Sequence, residues 1–242
     1  LHATEEEAKA ETIRMLNVYA EFCENVLAMP VVKGQKTEKE RFAGAEATYT
    51  IEALMHDGKA LQSGTSHYFG DGFSRAFEVA FTDKENKLVH PFQTSWGTTT
   101  RLIGALIMTH GDDSGLVLPP VVAPIQAVLV PIASHKEGVM EKANEVIAKL
   151  KTICRAKLDD SEQSPGWKFS EYEMKGVPVR IELGPRDIEA GNCVLVSRVS
   201  GEKTVVSLEN IGETVKNMLV SVRNEMYEKA IANRATHTYE CR

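Results

Sequence analysis

Cysteine is scarce in this sequence, and its spacing is irregular. The four cysteines, Cys23, Cys154, Cys193 and Cys241, form neither a CxxC pair nor a cluster with histidine. A zinc site or a disulfide framework is therefore not expected. Single scattered thiols are typical of a reducing compartment, where each acts as a small buried hydrophobe. We expect no metal site and a cytoplasmic location.

Long apolar runs, a basic excess, internal repeats and low-complexity tracts are also lacking. No apolar stretch approaches the roughly 20 residues that cross a bilayer, and no charged-then-apolar leader opens the sequence. The formal net charge of -6 offers no strongly basic field to coat nucleic acid. We expect no membrane segment and only local nucleic-acid contacts. Because Leu1 lies in a segment typical of a domain interior, we also expect a truncated chain.

The composition is that of ordinary folded domains. Of 242 residues, 43% are apolar and 26% are charged, close to the averages for globular proteins. This length suffices for one large or two ordinary domains. The paired prolines Pro119 and Pro120 make a stiff segment, so we place a domain boundary near residue 122.

Hydrophobic periodicity predicts antiparallel sheet with helices in the first part and a mixed-sheet α/β domain in the second. The first part is predicted to contain a helix capped by Thr4 and ending before Pro30, a charged loop at 33–39, strands at 49–55, 77–81 and 93–97, and a helix that starts after the Thr98-Thr99-Thr100 cap and ends near 108–110. The second is predicted to contain strands at 125–132, 177–183, 193–199 and 204–207, helices at 136–155 and 211–232, and a polar stretch at 161–166.

Three sequence blocks carry a family resemblance. They are Lys33-Gly34-Gln35-Lys36-Thr37-Glu38-Lys39 through Arg41-Phe42-Ala43-Gly44, then Leu61-Gln62-Ser63-Gly64-Thr65-Ser66-His67, then Gln93-Thr94-Ser95-Trp96-Gly97 through Arg101-Leu102-Ile103-Gly104. In this order they resemble blocks of archaeal/eukaryotic-type prolyl-tRNA synthetases, and the third resembles motif 3 of class II synthetases. The similarity continues through Gly166-Trp167-Lys168-Phe169, Lys175 to Arg180 and Gly184-Pro185-Arg186-Asp187.

The resemblance implies the fold, the activity and the partners. Residues 1–122 would be the rear part of a class II catalytic domain, and residues 123–242 an anticodon-binding domain. The activity would be ligation of L-proline to tRNA(Pro) through a prolyl-adenylate, with ATP and Mg²⁺ as cofactors and a homodimer in the full-length protein. Motifs 1 and 2 would precede Leu1, so this chain alone is not expected to form prolyl-adenylate.

Arg101 follows a Gly-Thr-Thr-Thr turn at a predicted helix start. A guanidinium there combines forked hydrogen bonding with the helix dipole, which suits the phosphates of ATP. Alone, an exposed arginine at a helix start would be ordinary. The resemblance implies that Gln62, Thr65, Thr99 and Arg101 bind ATP, and that Arg101 and Thr65 are catalytic.

The resemblance also implies a small amino-acid pocket. Its residues would be Thr65, His67, Ser95, Trp96 and Gly97. The Trp96 indole offers a flat wall for a pyrrolidine ring and its nitrogen cation, although tryptophan beside glycine is often plain core packing. The segment from Gly64 lacks the closing glycine of a GxSxG elbow, which disfavours a serine hydrolase.

In the second domain the resemblance implies anticodon contacts at Glu173, Arg180, Arg186 and Asp187, with Lys168 and Lys203 as additions. Arginine forks suit the acceptor edge of guanine, and carboxylates suit its donors. A solvated charged face is the simple alternative. Asp112 and Asp113 stand between glycines, which predicts a helix end and turn with local backbone bonding rather than a metal site.

Two alternatives remain open at this point. One is a non-catalytic tRNA-binding or regulatory protein of synthetase-like fold, which the presence of Gln62, Thr65, Thr99 and Arg101 disfavours. The other is a synthetase for threonine or glycine that shares the anticodon domain. The lack of cysteine or zinc-ligand histidine around the amino-acid pocket, with the sequences GTSH and SWGTTTR, favours proline.

Overall fold

The computed structural model describes residues 1–239, so Cys241 lies outside the described residues. The described chain divides into two compact units. Unit 1 contains Leu1–Asn25 and Met29–Thr109, and unit 2 contains Val26–Ala28 and His110–Thr238. The predicted boundary near residue 122 falls later along the chain than this division and stays a prediction.

Unit 1 is built on an antiparallel sheet, as predicted. Its elements are α1 (Glu5–Glu21), a π-helical turn (Phe22–Val26), β1 (Val31–Gln35), β2 (Ala47–Leu54), β3 (Ala60–Gly70), α2 (Gly72–Ala76), β4 (Phe81–Thr82), β5 (Leu88–Val89), β6 (Gln93–Gly97) and α3 (Arg101–His110). The main sheet has the order β1-β2-β3-β6, with every neighbouring pair antiparallel.

Helix α1 covers one face of this sheet. The predicted cap is confirmed, because the Thr4 hydroxyl accepts a hydrogen bond from the main-chain N–H of Glu7 at 3.2 Å. The buried Ser66 hydroxyl of β3 donates to the main-chain oxygen of Thr12 at 2.7 Å. This bond shows which face of β3 is turned toward α1, and between Gly64 and Tyr68, where the register is regular, every second residue shares that face.

Two predicted elements of unit 1 are wrong. The segment predicted as a charged loop at 33–39 begins as strand, because β1 continues to Gln35, which pairs with Tyr49 of β2. The predicted strand at 77–81 is mostly absent. The last turn of α2 ends at Phe77, and Glu78 has a left-handed backbone with φ of 54°. The buried Ser74 hydroxyl, bonded to the Pro91 oxygen at 2.6 Å, holds this short helix in place.

Unit 2 is an α/β domain with a mixed sheet, which confirms the predicted class. Its elements are β7 (Ala127–Pro131), α4 (Val139–Lys151), β8 (Ala156–Leu158), α5 (Pro165–Met174), β9 (Val179–Leu183), α6 (Pro185–Glu189), β10 (Asn192–Ser197), β11 (Lys203–Ser207) and α7 (Ile211–Thr236). The order is β11-β10-β9-β7-β8, with β7 parallel to β8 and β9 and the other pairs antiparallel. Elements β8, α5 and α6 were not predicted.

The alternation of β9 separates a core face from a polar face. Val179, Ile181 and Leu183 are fully buried in the core that α4 and α7 complete. Arg180 and Glu182 point to the other face, where they pair with Val128 and Val130 of β7. Those two valines pack against Tyr172 and Phe169 of α5. Helix α5 therefore lies beside the charged residues of β9.

Within residues 1–239, no helix is both long enough and apolar enough to span a membrane.

Candidate functional site

In unit 1, four residues predicted to bind amino acid or nucleotide meet on one face of the sheet. Because Ser66 faces α1, its neighbours Thr65 and His67 face the other way. The register pairs Thr65 with Gly97 and His67 with Ser95. Residues directly opposite each other in an antiparallel pair share a face. These four positions therefore form one polar surface, which we call the β3–β6 face.

Trp96 lies on the α1 side of strand β6. It is paired with Ser66, so alternation places its side chain opposite that of Ser95. An open cavity of about 350 Å³ is lined by Leu1, His2, Glu11, Thr94, Ser95 and Trp96, and the indole is 44% exposed. Strand alternation thus turns the Trp96 side chain away from the β3–β6 face, while Ser95 borders this cavity as well.

The residues predicted to bind ATP gather at the edge of the same sheet. The Nη1 of Arg101 donates to the main-chain oxygen of Gln62 at 3.3 Å, and the Arg101 N–H donates to the Thr99 hydroxyl at 3.2 Å. Thr99 therefore lies in the turn just before α3 and bonds the first N–H of the helix, and Arg101 is exposed at its first turn. One of five guanidinium donors is used in the bond to Gln62. The rest of the fork, at a helix N-terminus, is suited to an anion.

Gly64 allows close packing at this corner. A Cβ at Gly64 would lie 3.2 Å from Cγ2 of Thr98 and 3.3 Å from Cγ1 of Ile51. These distances are shorter than ordinary van der Waals contact, so a larger residue would displace Thr98. The glycine therefore lets the turn before α3 pack directly on β3.

His67 has an apolar setting with one polar partner. Its Nδ1 lies 2.9 Å from the Thr48 hydroxyl, and its ring centroid lies 5.1 Å from that of Phe42 and 5.8 Å from that of Phe69. Burial lowers the pKa of the imidazole, which favours the neutral ring. Phe42 belongs to the first of the three sequence blocks, and the sequence alone predicts no role for it. The structure places it as an aromatic wall beside His67.

In unit 2, Arg180 and Lys203 converge on a carboxylate that sequence reasoning missed. Nε and Nη2 of Arg180 lie 3.2 and 3.0 Å from Oε1 of Glu182, and Nζ of Lys203 lies 3.1 Å from Oε2. The Arg180 guanidinium also lies 4.3 Å above the ring of Phe169. Glu182 could have been found from the sequence, because it stands two residues after Arg180 on a strand and so shares its face.

Three of the six predicted anticodon residues border one cavity of about 150 Å³. Its wall consists of Tyr172, Glu173, Val177, Arg180, Val196, Ser197, Arg198, Gly201 and Lys203. Glu173 supplies an acceptor group, and Arg180 and Lys203 supply donors. A planar group with both donors and acceptors on its edge fits such a wall. We call this the α5–β9 cavity.

The other three predicted anticodon residues lie elsewhere. Arg186 is exposed on α6, and the Asp187 carboxylate accepts from the main-chain N–H of Gly184 at 2.8 Å. Lys168 is only 2% exposed. Its Nζ donates to the main-chain oxygens of Asp159 and Ser161 at 2.9 and 2.8 Å. The Lys168 ammonium is therefore committed to holding the loop before α5.

Asp159 completes this buried polar group. Its carboxylate lies 3.5 Å from Nζ of Lys168 and is almost fully buried. Burial acts to raise the pKa of Asp159, but hydrogen bonds from Ser161 and the Lys168 charge outweigh it and lower the pKa overall. The lowered pKa favours the ionised carboxylate of Asp159, and its contact with Lys168 is structural in character.

No group of three or more histidine, cysteine, aspartate or glutamate side chains within residues 1–239 is arranged to hold a metal ion. The described residues thus provide no ready set of protein ligands for Mg²⁺, which prefers carboxylate, phosphate and water oxygens.

Comparison with known proteins identifies a domain family that matches part of the chain. Residues 126–218 match the family model described as "Anticodon binding domain", and the mixed α/β fold of unit 2 agrees with that description.

Over nearly its whole length, the chain is similar to proteins named "Proline--tRNA ligase". It is 66% identical over 238 residues to one from Ruminiclostridium cellulolyticum, covering 98% of this chain and 50% of the relative. It is 65% identical over 239 residues to one from Lachnoclostridium phytofermentans and 62% over 238 residues to one from Clostridium novyi, covering 99% and 98% of this chain and 50% of each relative. The chain spans about half the length of the curated relatives it matches.

Proposed function

We propose that the protein containing this chain ligates L-proline to tRNA(Pro) through a prolyl-adenylate formed from ATP. The observation that carries the proposal is the convergence of Thr65, His67, Ser95 and Gly97 on one face, with Arg101 anchored to Gln62 at its edge. Identity of 58–66% to proline--tRNA ligases over nearly the whole chain supports it.

For adenylate formation, the proline carboxylate attacks the α-phosphate of ATP and pyrophosphate leaves. Negative charge shifts onto phosphate oxygens during this step, and a fixed guanidinium stabilises it. We assign that role to Arg101, with Gln62, Thr65 and Thr99 as further ATP contacts. The bond to the Gln62 oxygen orients the guanidinium before ATP arrives, so less reorganisation is needed during the reaction.

For proline, we propose contacts from Thr65, His67, Ser95 and Gly97 on the β3–β6 face. The neutral His67 ring and the neighbouring Phe42 suit an apolar pyrrolidine ring. We propose Trp96 as a further pocket residue, which would border the pocket from the α1 side of β6.

For the anticodon, we propose that Glu173, Arg180 and Lys203 contact base edges in the α5–β9 cavity. Arg186 and Asp187 would act from α6, outside that cavity. We assign Lys168 to the loop before α5, because its ammonium is already bonded there. We propose the domain limits 1–122 and 123–242, and the matched segment 126–218 lies within the second domain.

Three further parts of the proposal rest on the family resemblance: the archaeal/eukaryotic type, the Mg²⁺ that accompanies ATP, and the homodimer. The archaeal/eukaryotic type rests on the three sequence blocks, although the relatives named above are bacterial. The proposed cytoplasmic location rests on the scattered single cysteines. We derive no catalytic step through Mg²⁺, because the described residues offer no group of three ligands for it.

The competing proposal is a non-catalytic tRNA-binding or regulatory protein. It requires no phosphate-binding group in unit 1, yet Arg101 is present and held at a helix start facing Gln62. The ligase is therefore the better supported function.

The test is charging of tRNA(Pro) with radiolabelled proline by the complete protein that contains this chain. We expect Arg101→Ala to abolish charging, and Glu173→Ala or Arg180→Ala to raise the KM for tRNA with little change in kcat. Glu213→Ala, at an exposed glutamate of α7, is the matched control and should behave like the original. Tight binding of tRNA(Pro) without any charging would support the non-catalytic protein instead.

A further inference from the structure

Arg198, just after β10, is nearly buried and holds two separate parts of unit 2. Only 6% of its side chain is exposed. Its Nη1 and Nη2 donate to the two carboxylate oxygens of Asp112 at 2.7 and 2.6 Å. Its Nε donates to the main-chain oxygen of Glu173 at 3.0 Å. The rigid guanidinium fork thus fixes the loop after α3 and the end of α5 at a set distance.

The Asp112 loop is shaped to receive this arginine. Its carboxylate also accepts from the N–H of Ser114 at 3.0 Å, which confirms the predicted turn with local backbone bonding. The N–H of Leu116 donates to the Met174 oxygen at 2.9 Å. A Cβ at Gly115 would lie 2.5 Å from the Met174 Cα, so only glycine permits this approach.

The end of α5 is fixed from the other side by the same loop. Gly176 has φ of 69°, and a Cβ there would lie 2.7 Å from the carbonyl carbon of Leu116. The residues after Glu173 are therefore pressed against the loop backbone. In addition, the Arg198 cation lies at the C-terminus of α5, where the helix dipole favours positive charge.

These contacts hold the backbone of Glu173 at the end of α5. Its main chain is bonded to Arg198, and the residue borders the α5–β9 cavity together with Arg180 and Lys203. A carboxylate that selects a base by accepting from its N–H groups must be held to within about 0.5 Å of the productive position. The contact from Arg198 acts on the backbone of Glu173 rather than on the carboxylate itself.

We propose that Asp112 and Arg198 are positioning residues that fix Glu173 for recognition of an RNA base in the α5–β9 cavity. The recognition site then includes the loop at 111–116, which precedes the segment 126–218 matched as an anticodon-binding domain. This inference rests on the proposed function, because it takes the occupant of the cavity to be an anticodon base.

The experiment measures dissociation constants of the complete protein for two RNA hairpins. One carries the proline anticodon loop, and the other has its readable guanines replaced by adenine. The variants are Asp112→Asn and Arg198→Lys, which preserve size but break the paired fork. Asp113→Asn, at the exposed neighbouring aspartate, is the control. Melting temperature and proline-dependent pyrophosphate exchange are recorded for each protein.

We expect both variants to bind the proline hairpin about tenfold more weakly, as for loss of one well-placed charged hydrogen bond. Binding of the substituted hairpin, pyrophosphate exchange and the control should not change. In a Glu173→Ala background, Arg198→Lys should have no further effect on discrimination, because its action passes through Glu173.

Two results would overturn the inference. One is an equal weakening of binding to both hairpins, or none, which would leave Arg198 a purely structural residue. The other is an effect of Arg198→Lys that simply adds to that of Glu173→Ala. If the original protein activates proline and discriminates the hairpins, either result counts only against the positioning role and leaves the ligase proposal intact.

If the original protein does not discriminate the two hairpins, both anticodon recognition and this inference are overturned. If it shows no proline-dependent pyrophosphate exchange, the ligase activity is contradicted.

Discussion

The Nη1 of Arg101 lies 3.3 Å from the main-chain oxygen of Gln62, 39 residues earlier in the chain. This bond joins the first turn of α3 to strand β3. The main-chain N–H of Arg101 is held in turn by the Thr99 hydroxyl. Three of the four proposed ATP contacts are therefore fixed relative to one another by hydrogen bonds before any nucleotide binds.

We expect Arg101→Lys in the complete protein to lower kcat/KM for ATP in pyrophosphate exchange by roughly 100-fold or more. Lysine keeps the charge but loses the planar fork that can bond Gln62 and a phosphate at once. Arg14→Lys, at an exposed arginine of α1 that pairs with Glu11, is the control and should leave exchange unchanged. Comparable activity of Arg101→Lys and the original would remove Arg101 from the catalytic assignment.

Gly64 and Gly104 offer a matched pair of glycine-to-alanine changes. Gly64→Ala would press on Thr98 and Ile51, so we expect a loss of about 1–2 kcal/mol in the free energy of unfolding. Gly104 is exposed within α3 with nothing within 4 Å of an added Cβ. There alanine should stabilise by about 0.5–1 kcal/mol, because it favours helix. Denaturant titration of both variants checks the two signs, and a stabilising Gly64→Ala would contradict the crowding at that corner.

Lys168 should be important for stability. Lys168→Met removes bonds to two main-chain oxygens and leaves the buried Asp159 without its cation. We expect a loss of roughly 3–5 kcal/mol in the free energy of unfolding of unit 2. Lys175→Met, at an exposed lysine paired with Glu171, should cost no more than about 0.5 kcal/mol. Equal effects of the two changes in denaturant titrations would show that Lys168 is not a buried structural cation.

Asp112 gives a prediction on pH. The hydrogen bond from Arg198 is the largest cause that lowers the pKa of Asp112; burial opposes it, and the N–H groups of Ser114 and Gly115 add to it. A lowered folded-state pKa contributes stability above the unfolded value of about 3.9. That contribution is lost as the pH falls through the folded-state pKa.

The measurement is the melting temperature of Asp112→Asn and of the original chain between neutral pH and about pH 3. We expect the variant to melt lower at neutral pH and the difference to narrow below about pH 4. A difference that stays constant as the carboxylate is protonated would mean that the charge of Asp112 does not stabilise the fold.

Much of unit 1 could be predicted because local chemistry and tertiary structure agree there. Thr4 caps α1, and the Thr99 hydroxyl accepts from the first N–H of α3, as its position just before the helix indicates. Trp96 is instructive in another way. The face of β6 that its side chain occupies was not predicted. Consecutive strand residues face opposite ways, so the opposite orientation of the Trp96 and Ser95 side chains could have been predicted from the sequence.

The misses in unit 2 have physical causes. Helix α5 begins with Ser164 as its cap and Pro165 in its first turn, signals that the sequence contains. The segment 161–166 was instead predicted to be a polar stretch, which overlaps the start of this helix. The burial of Lys168 could not be predicted, because it depends on two main-chain oxygens of a loop that folds over its ammonium. Likewise, the Asp112 to Arg198 fork joins residues 86 positions apart.

The most direct test of the central claim is amino-acid-dependent exchange of pyrophosphate into ATP by the complete protein that contains this chain. Proline, threonine and glycine are compared at equal concentrations, with and without Arg101→Ala. The proposed function predicts exchange with proline alone and its loss in the variant. Exchange with threonine or glycine but not proline, or none with any of the three, would contradict it.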